Sequence, residues 1–116
     1  MGKKSLRELE NRAVERFATR LDTQIAQVYG VLGLSTGPRF RSRLGYKVVN
    51  LEDGGLCIRV SPKGEIAIRV RLILGYRIRA ISIALSVEQL ARYLLIGTGL
   101  SIQSCEVLVD GVRFVG

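Results

Sequence analysis

A chain of 116 residues with 47% apolar residues is long enough to bury a core of its own and too apolar to remain disordered. Lysine and arginine number 18 against 10 acidic residues, and a net charge of +8 favours anionic partners such as nucleic acid, an acidic protein or an anionic membrane. With no histidine and only two cysteines, Cys57 and Cys105, an ordinary zinc ligand set is excluded, and both cysteines read as reduced small hydrophobes in strand-like runs.

The charged N-terminus argues against a signal peptide, and Leu6 stands where a myristoylation motif requires Ser or Thr. The most apolar window, Ile78 to Leu100, contains Arg79, Glu88 and Arg92 and so does not read as a membrane span. The expected location is the cytoplasm.

From Ser5 to Leu32 the apolar residues Leu6, Leu9, Ala13, Phe17, Leu21, Ile25, Val28 and Leu32 recur at three- and four-residue steps, which predicts an amphipathic helix. Ser5 with Glu8 is a capping-box pattern, and Glu8, Arg12, Arg16 and Arg20 form a charged ladder on the solvent side. Gly30, Gly33 and Gly37-Pro38 end the helix, so residues 1–34 read as an N-terminal helix and 35–45 as a basic loop. Within that loop Arg39, Arg41 and Arg43 alternate with Phe40 and Ser42. This is the composition of a phosphate-binding arm, and equally of a mobile surface loop.

Residues 46–116 carry a sheet and a second helix. Tyr46 to Leu51 is a short strand, Glu52-Asp53-Gly54-Gly55 a hairpin turn, and Leu56 to Val60 the next strand. Ser61-Pro62-Lys63-Gly64 turns the chain into its longest alternating run, Glu65 to Leu74. Ile66, Ile68, Val70, Leu72 and Leu74 fall on one side of that run, which leaves Arg59, Arg69 and Arg71 together on the opposite face of the hairpin. Three like charges in cross-strand reach need solvent, acids or an anionic partner, and Glu106 is placed to reach one of them. Arg77 to Leu85 alternates loosely enough for a strand, but Ala80, Ile83, Ala84, Val87, Leu90, Ala91 and Leu94 form one helical stripe. A helix from Arg79 to Ile96, closed by Gly97-Thr98-Gly99, is therefore predicted. It leaves Ile81 and Leu85 four residues apart on another face, a candidate self-association surface. Cys105, Val107 and Val109 mark a last strand that closes at Asp110-Gly111, followed by a tail from Val112 to Val115.

The predicted fold is one α+β domain, a two-layer sandwich in the order helix, three antiparallel strands, helix, strand, with both helices on one face of the sheet. No acid, base, nucleophile or ligand cluster stands out, so no enzymatic activity, cofactor or small-molecule substrate is expected. Gly97-Thr98-Gly99 follows a helix instead of opening one, and Gly75-Tyr76-Arg77-Ile78 lacks the second glycine of a KH-type clamp on RNA.

Two stretches resemble the alkaline shock proteins, a family of bacterial general stress proteins. Val28-Tyr29-Gly30-Val31-Leu32-Gly33-Leu34-Ser35-Thr36-Gly37 is similar to that family's "helix end, Gly-Val, Gly-Leu-Ser" stretch. Gly97-Thr98-Gly99-Leu100, followed after a spacer by Val107-Leu108-Val109-Asp110-Gly111-Val112-Arg113-Phe114, is similar to its closing signature. Tyr76 ends the central strand where the family carries Tyr-Gly, although here Gly75 precedes the tyrosine and Arg77 follows it. The family tends to be acidic, and this chain is basic. The resemblance implies a small non-enzymatic stress or scaffold protein that forms homo-oligomers, in the cytoplasm or held at the inner membrane face by a partner protein. The residues themselves leave a second expectation open: an RNA-binding module using Arg39, Arg41 and Arg43 with the Arg59, Arg69 and Arg71 face.

Overall fold

The structure is a computed structural model that describes residues 6–114, with side chains from 10 to 114. In chain order its elements are helix α1 (Leu6–Ile25), strands β1 (Val31–Leu34) and β2 (Lys47–Leu51), a 3-10 turn (Glu52–Gly54), β3 (Leu56–Val60), β4 (Glu65–Gly75), helix α2 (Ala80–Leu94) and β5 (Ser101–Arg113). The helix–strand layout is the α+β arrangement the sequence predicts, with one additional strand.

β4 organises the sheet. Its first half, Ile66 to Val70, pairs antiparallel with β3, and its second half, Leu72 to Leu74, pairs antiparallel with β1. β5 runs parallel to β4 along the whole length from Glu65 to Gly75, and β2 extends the sheet beyond β3. The parallel pairing follows from connectivity: α2 carries the chain back across the sheet before β5 begins, as parallel neighbours require.

The alternation of β4 is realised as burial. Ile66, Ile68, Val70, Leu72 and Leu74 are buried, and Leu56, Ile58 and Val60 of β3 continue the same face. One core joins this face to Val14, Phe17, Leu21 and Ile25 of α1 and to Ile83, Val87, Ala91 and Leu94 of α2. The two helices also touch each other, so both stripes cover the same side of the strands.

Three boundaries differ from the sequence reading. α1 ends at Ile25 and not near Leu32, because the chain turns at residues 26–30 and Val31–Leu34 enters the sheet. The second half of β4 lies beyond the reach of β3 and offers an unpaired edge, so backbone pairing there outweighs the helical spacing of Val28 and Leu32. Gly30 makes the turn possible: its φ is +94°, and a Cβ on it would collide with the Ile78 side chain.

β5 is longer than predicted and runs through Asp110-Gly111 to Arg113. The register skips Gln103 and Asp110, two bulges that absorb residues which read as a strand end. The chain between β2 and β3 folds as a 3-10 turn instead of a tight hairpin, with Glu52 and Asp53 at positive φ. By contrast α2 falls within two residues of its predicted ends, which removes the strand alternative, and Gly97 after it has φ +80°. Ser5 and the side chain of Glu8, the two halves of the predicted capping box, lie outside what the structure describes. No helix among the described residues is long and apolar enough to cross a membrane.

Candidate partner-binding surfaces

The face of the sheet opposite the helices carries the sheet arginines, and cross-strand register explains their grouping. Asn50, Cys57, Arg69 and Glu106 lie in one row across β2, β3, β4 and β5, with Val48, Arg59, Ala67 and Ser104 in the next. The basic loop 35–45 crosses this face and is pinned to it. The Asn50 side chain accepts a hydrogen bond from the Phe40 N–H and donates one to the Phe40 carbonyl, both at 3.0 Å. Phe40 is thereby set beneath two guanidinium groups: the central carbons of Arg59 and Arg69 each lie 4.9 Å from its ring centroid.

This face is less open than the sequence suggests, because β5 supplies carboxylates to it. Arg69 Nε donates to Glu106 Oε1 at 2.7 Å. Arg71 Nη1 lies 3.5 Å from Asp110 Oδ2, which also accepts a 2.7 Å hydrogen bond from Ser35 Oγ. The Arg71 side chain is only 16% exposed, and its Nε is buried without a partner. In the sequence Asp110-Gly111 looks like a closing turn, and no pattern there signals the bulge in β5 that brings Asp110 to this face.

The loop arginines divide in the same way. Arg39 pairs with Asp53 at 3.1 Å in an exposed contact that contributes little. Arg43 lies over the Tyr46 ring at 4.5 Å, and Arg41 is exposed. Among the described residues, Arg41, Arg43 and Arg59 have no carboxylate partner.

On α2, Ile81 is 68% and Leu85 54% exposed, so both stand away from the core as the helical spacing requires. The stripe continues further than those two. Stepping by four gives Gln89 and then the exposed Tyr93, with exposed Ile96 just past the helix end. The four-residue spacing of Ile81 and Leu85 is legible in the sequence; Tyr93 is less so, because Gln89 interrupts the apolar run.

Neither cysteine offers reactive chemistry. Cys57 is buried with its thiol 3.4 Å from the Gly54 carbonyl, and burial, followed by the nearby Glu88 charge, pushes the Cys105 thiol up to about 11. No group of three His, Cys, Asp or Glu residues capable of holding a metal ion occurs among the described residues.

No protein-family model, curated protein or solved structure matches this chain.

Proposed function

We propose that this chain is a non-enzymatic scaffold protein of the alkaline-shock type, acting through contact with copies of itself by the exposed stripe of α2. The observation that supports this is the exposure of Ile81 and Leu85 four residues apart on one helix, with Tyr93 exposed two steps further along the same side beyond Gln89. An apolar stripe of that length on an isolated surface is unfavourable, and a two-fold axis lets the same residues cover one another. In this reading the protein works in the cytoplasm or at the inner membrane face, where oligomers present several copies of the basic sheet face to a protein partner. Ile81→Ser combined with Leu85→Gln is expected to shift the protein to monomer in analytical ultracentrifugation while its helical circular dichroism persists. A parent protein that is already monomeric at high micromolar concentration overturns the reading.

A second reading, binding of RNA, draws support from a separate observation. Arg41, Arg43 and Arg59 carry no carboxylate partner among the described residues, and Arg59 lies over an aromatic ring on the same face. Guanidinium groups beside an aromatic ring suit a phosphate backbone with unstacked bases.

A further inference from the structure

Where the second half of β4 meets β1 and the end of β5, backbone hydrogen bonds lace three segments together. The Gly75 N–H donates to the Gly30 carbonyl at 2.9 Å, and the Tyr76 N–H donates to the Arg113 carbonyl at 2.8 Å. The rings of Tyr76 and Phe114 stack with centroids 4.1 Å apart and planes at 28°. With Tyr29, Leu32 and Ile78 they wall a cleft of about 390 Å³. Tyr29 is 88% and Phe114 79% exposed, and Leu32, Tyr76 and Val112 are exposed beside them. Aromatic stacking that elsewhere closes a core here faces outward.

The surroundings of this patch are rich in arginine. Arg77, Arg79 and Arg113 are exposed around it, and the guanidinium of Arg77 lies 5.5 Å from the Tyr76 ring centroid. Arg77 has φ +69°, a conformation uncommon for a residue with a side chain. Residues 23–51, 66–87 and 111–114, which build this end, contain no Asp or Glu, and Asp110 just before the last of them is engaged by Arg71 and Ser35. Exposed aromatic and aliphatic side chains inside an arginine rim combine the two attractions that hold a peripheral protein to a bilayer: apolar insertion at the headgroup boundary and charge pairing with anionic lipid.

We propose that this end of the sheet docks on the surface of an anionic bilayer, with Tyr29 and Phe114 entering the headgroup layer and Arg77, Arg79 and Arg113 meeting lipid phosphates. The aliphatic Leu32 and Val112 favour lipid over nucleic acid, because bases stack on rings and gain little from branched side chains. Docking goes beyond self-association and uses none of the α2 stripe.

The chain has no tryptophan, so Phe114→Trp introduces a single reporter at the contact. With vesicles of phosphatidylglycerol in phosphatidylcholine, the expected result is co-sedimentation with blue-shifted tryptophan emission, and neither with phosphatidylcholine alone. Changing Arg77, Arg79 and Arg113 to glutamine should weaken vesicle binding about fivefold per residue. Tyr29→Ser should weaken it without altering circular dichroism, since that side chain is exposed. Repeating the titrations in the Ile81→Ser, Leu85→Gln background reads docking separately from self-association. The proposal is overturned if anionic vesicles are not bound, if binding survives the triple glutamine change, or if these substitutions affect only binding to a single-stranded oligonucleotide.

Discussion

Asn50 grips Phe40 from both sides of its backbone, accepting from the N–H and donating to the carbonyl at 3.0 Å each. A side-chain amide thus does what a neighbouring strand would do. It turns a loop rich in arginine and glycine into a fixed cover over the sheet, with the Phe40 ring beneath Arg59 and Arg69. The position of the loop arginines therefore depends on a residue of β2 that carries no charge.

Asn50→Ala removes both bonds at once. The loss is expected to be about 1–3 kcal/mol, since each partly buried bond contributes about 1 kcal/mol and its backbone partners must find water. Chemical denaturation measures the loss, and hydrogen exchange at the Phe40 amide should accelerate by more than the global change in stability explains.

Val70→Asp tests the assignment of the faces. Val70 is fully buried at the middle of β4, opposite Leu56 on one side and Val107 on the other. Losing its burial and placing an unpaired carboxylate there is expected to cost about 4 kcal/mol or more, comparable to the whole stability of a small domain. The variant should show no cooperative melting transition. A parent-like melt places Val70 on the wrong face.

Strong periodic patterns made most of this fold legible. The alternation from Ile66 to Leu74 and the stripe from Ile83 to Leu94 identified β4 and α2, because in both the buried side follows directly from the spacing. β1 was not legible: Val31–Leu34 is four residues long, contains Gly33, and its Leu32 also continues the helical spacing of α1. Only the unpaired edge of β4, a tertiary feature, decides between the two. The site residues divide likewise. Register follows from alternation, so Arg59 and Arg69 could be grouped, and Ile81 and Leu85 could be placed outside the core. The pairing of Arg71 with Asp110 depends on a bulge, and the seat of Phe40 on a hydrogen bond from Asn50, neither of which has a sequence signature.

The geometry sharpens the test of nucleic-acid binding. Arg39 already pairs with Asp53, so Arg39→Gln should change little. Replacing Arg41, Arg43 and Arg59 with glutamine should lower the salt dependence of binding to a single-stranded oligonucleotide by about 0.7 per lost contact. A salt dependence unchanged by the triple substitution removes this face from the binding reaction.

Arg71 is a partly buried charge whose Nε has no partner, and Gly37 lies so close that a Cβ there would strike the guanidinium. Removing either partner of such a pair strands the other charge, but Asp110 is the more exposed of the two and keeps its bond from Ser35, so losing Arg71 strands less than losing Asp110. Arg71→Met is thus expected to stay within about 1 kcal/mol of the parent, and Asp110→Ala to lose about 2 kcal/mol or more. Denaturation midpoints compare the two, and a larger loss for Arg71→Met contradicts the buried-charge argument.

Asp22 on α1 should make stability depend on pH in the direction opposite to most carboxylates. Burial, and then the like charge and hydrogen bonding of Glu52, raise its pKa above the ordinary 3.8. A carboxyl with a raised folded-state pKa holds its proton better in the folded chain than in the unfolded one. Its contribution to stability is complete below 3.8 and is lost as pH rises through the folded value, where Asp22 and Glu52 come to repel each other. Glu15 behaves in the reverse sense. Its bond to Lys47 at 2.8 Å lowers its pKa below 4.5, so its contribution is present above 4.5 and lost on acidification. Asp22→Asn should accordingly raise the thermal midpoint at about pH 7 and give no advantage at about pH 3. Glu15→Gln should lower the midpoint at the higher pH and converge with the parent in acid. If Asp22→Asn instead lowers the midpoint at neutral pH, the carboxylate is held by a favourable contact and its repulsion by Glu52 does not govern the turn between β2 and β3.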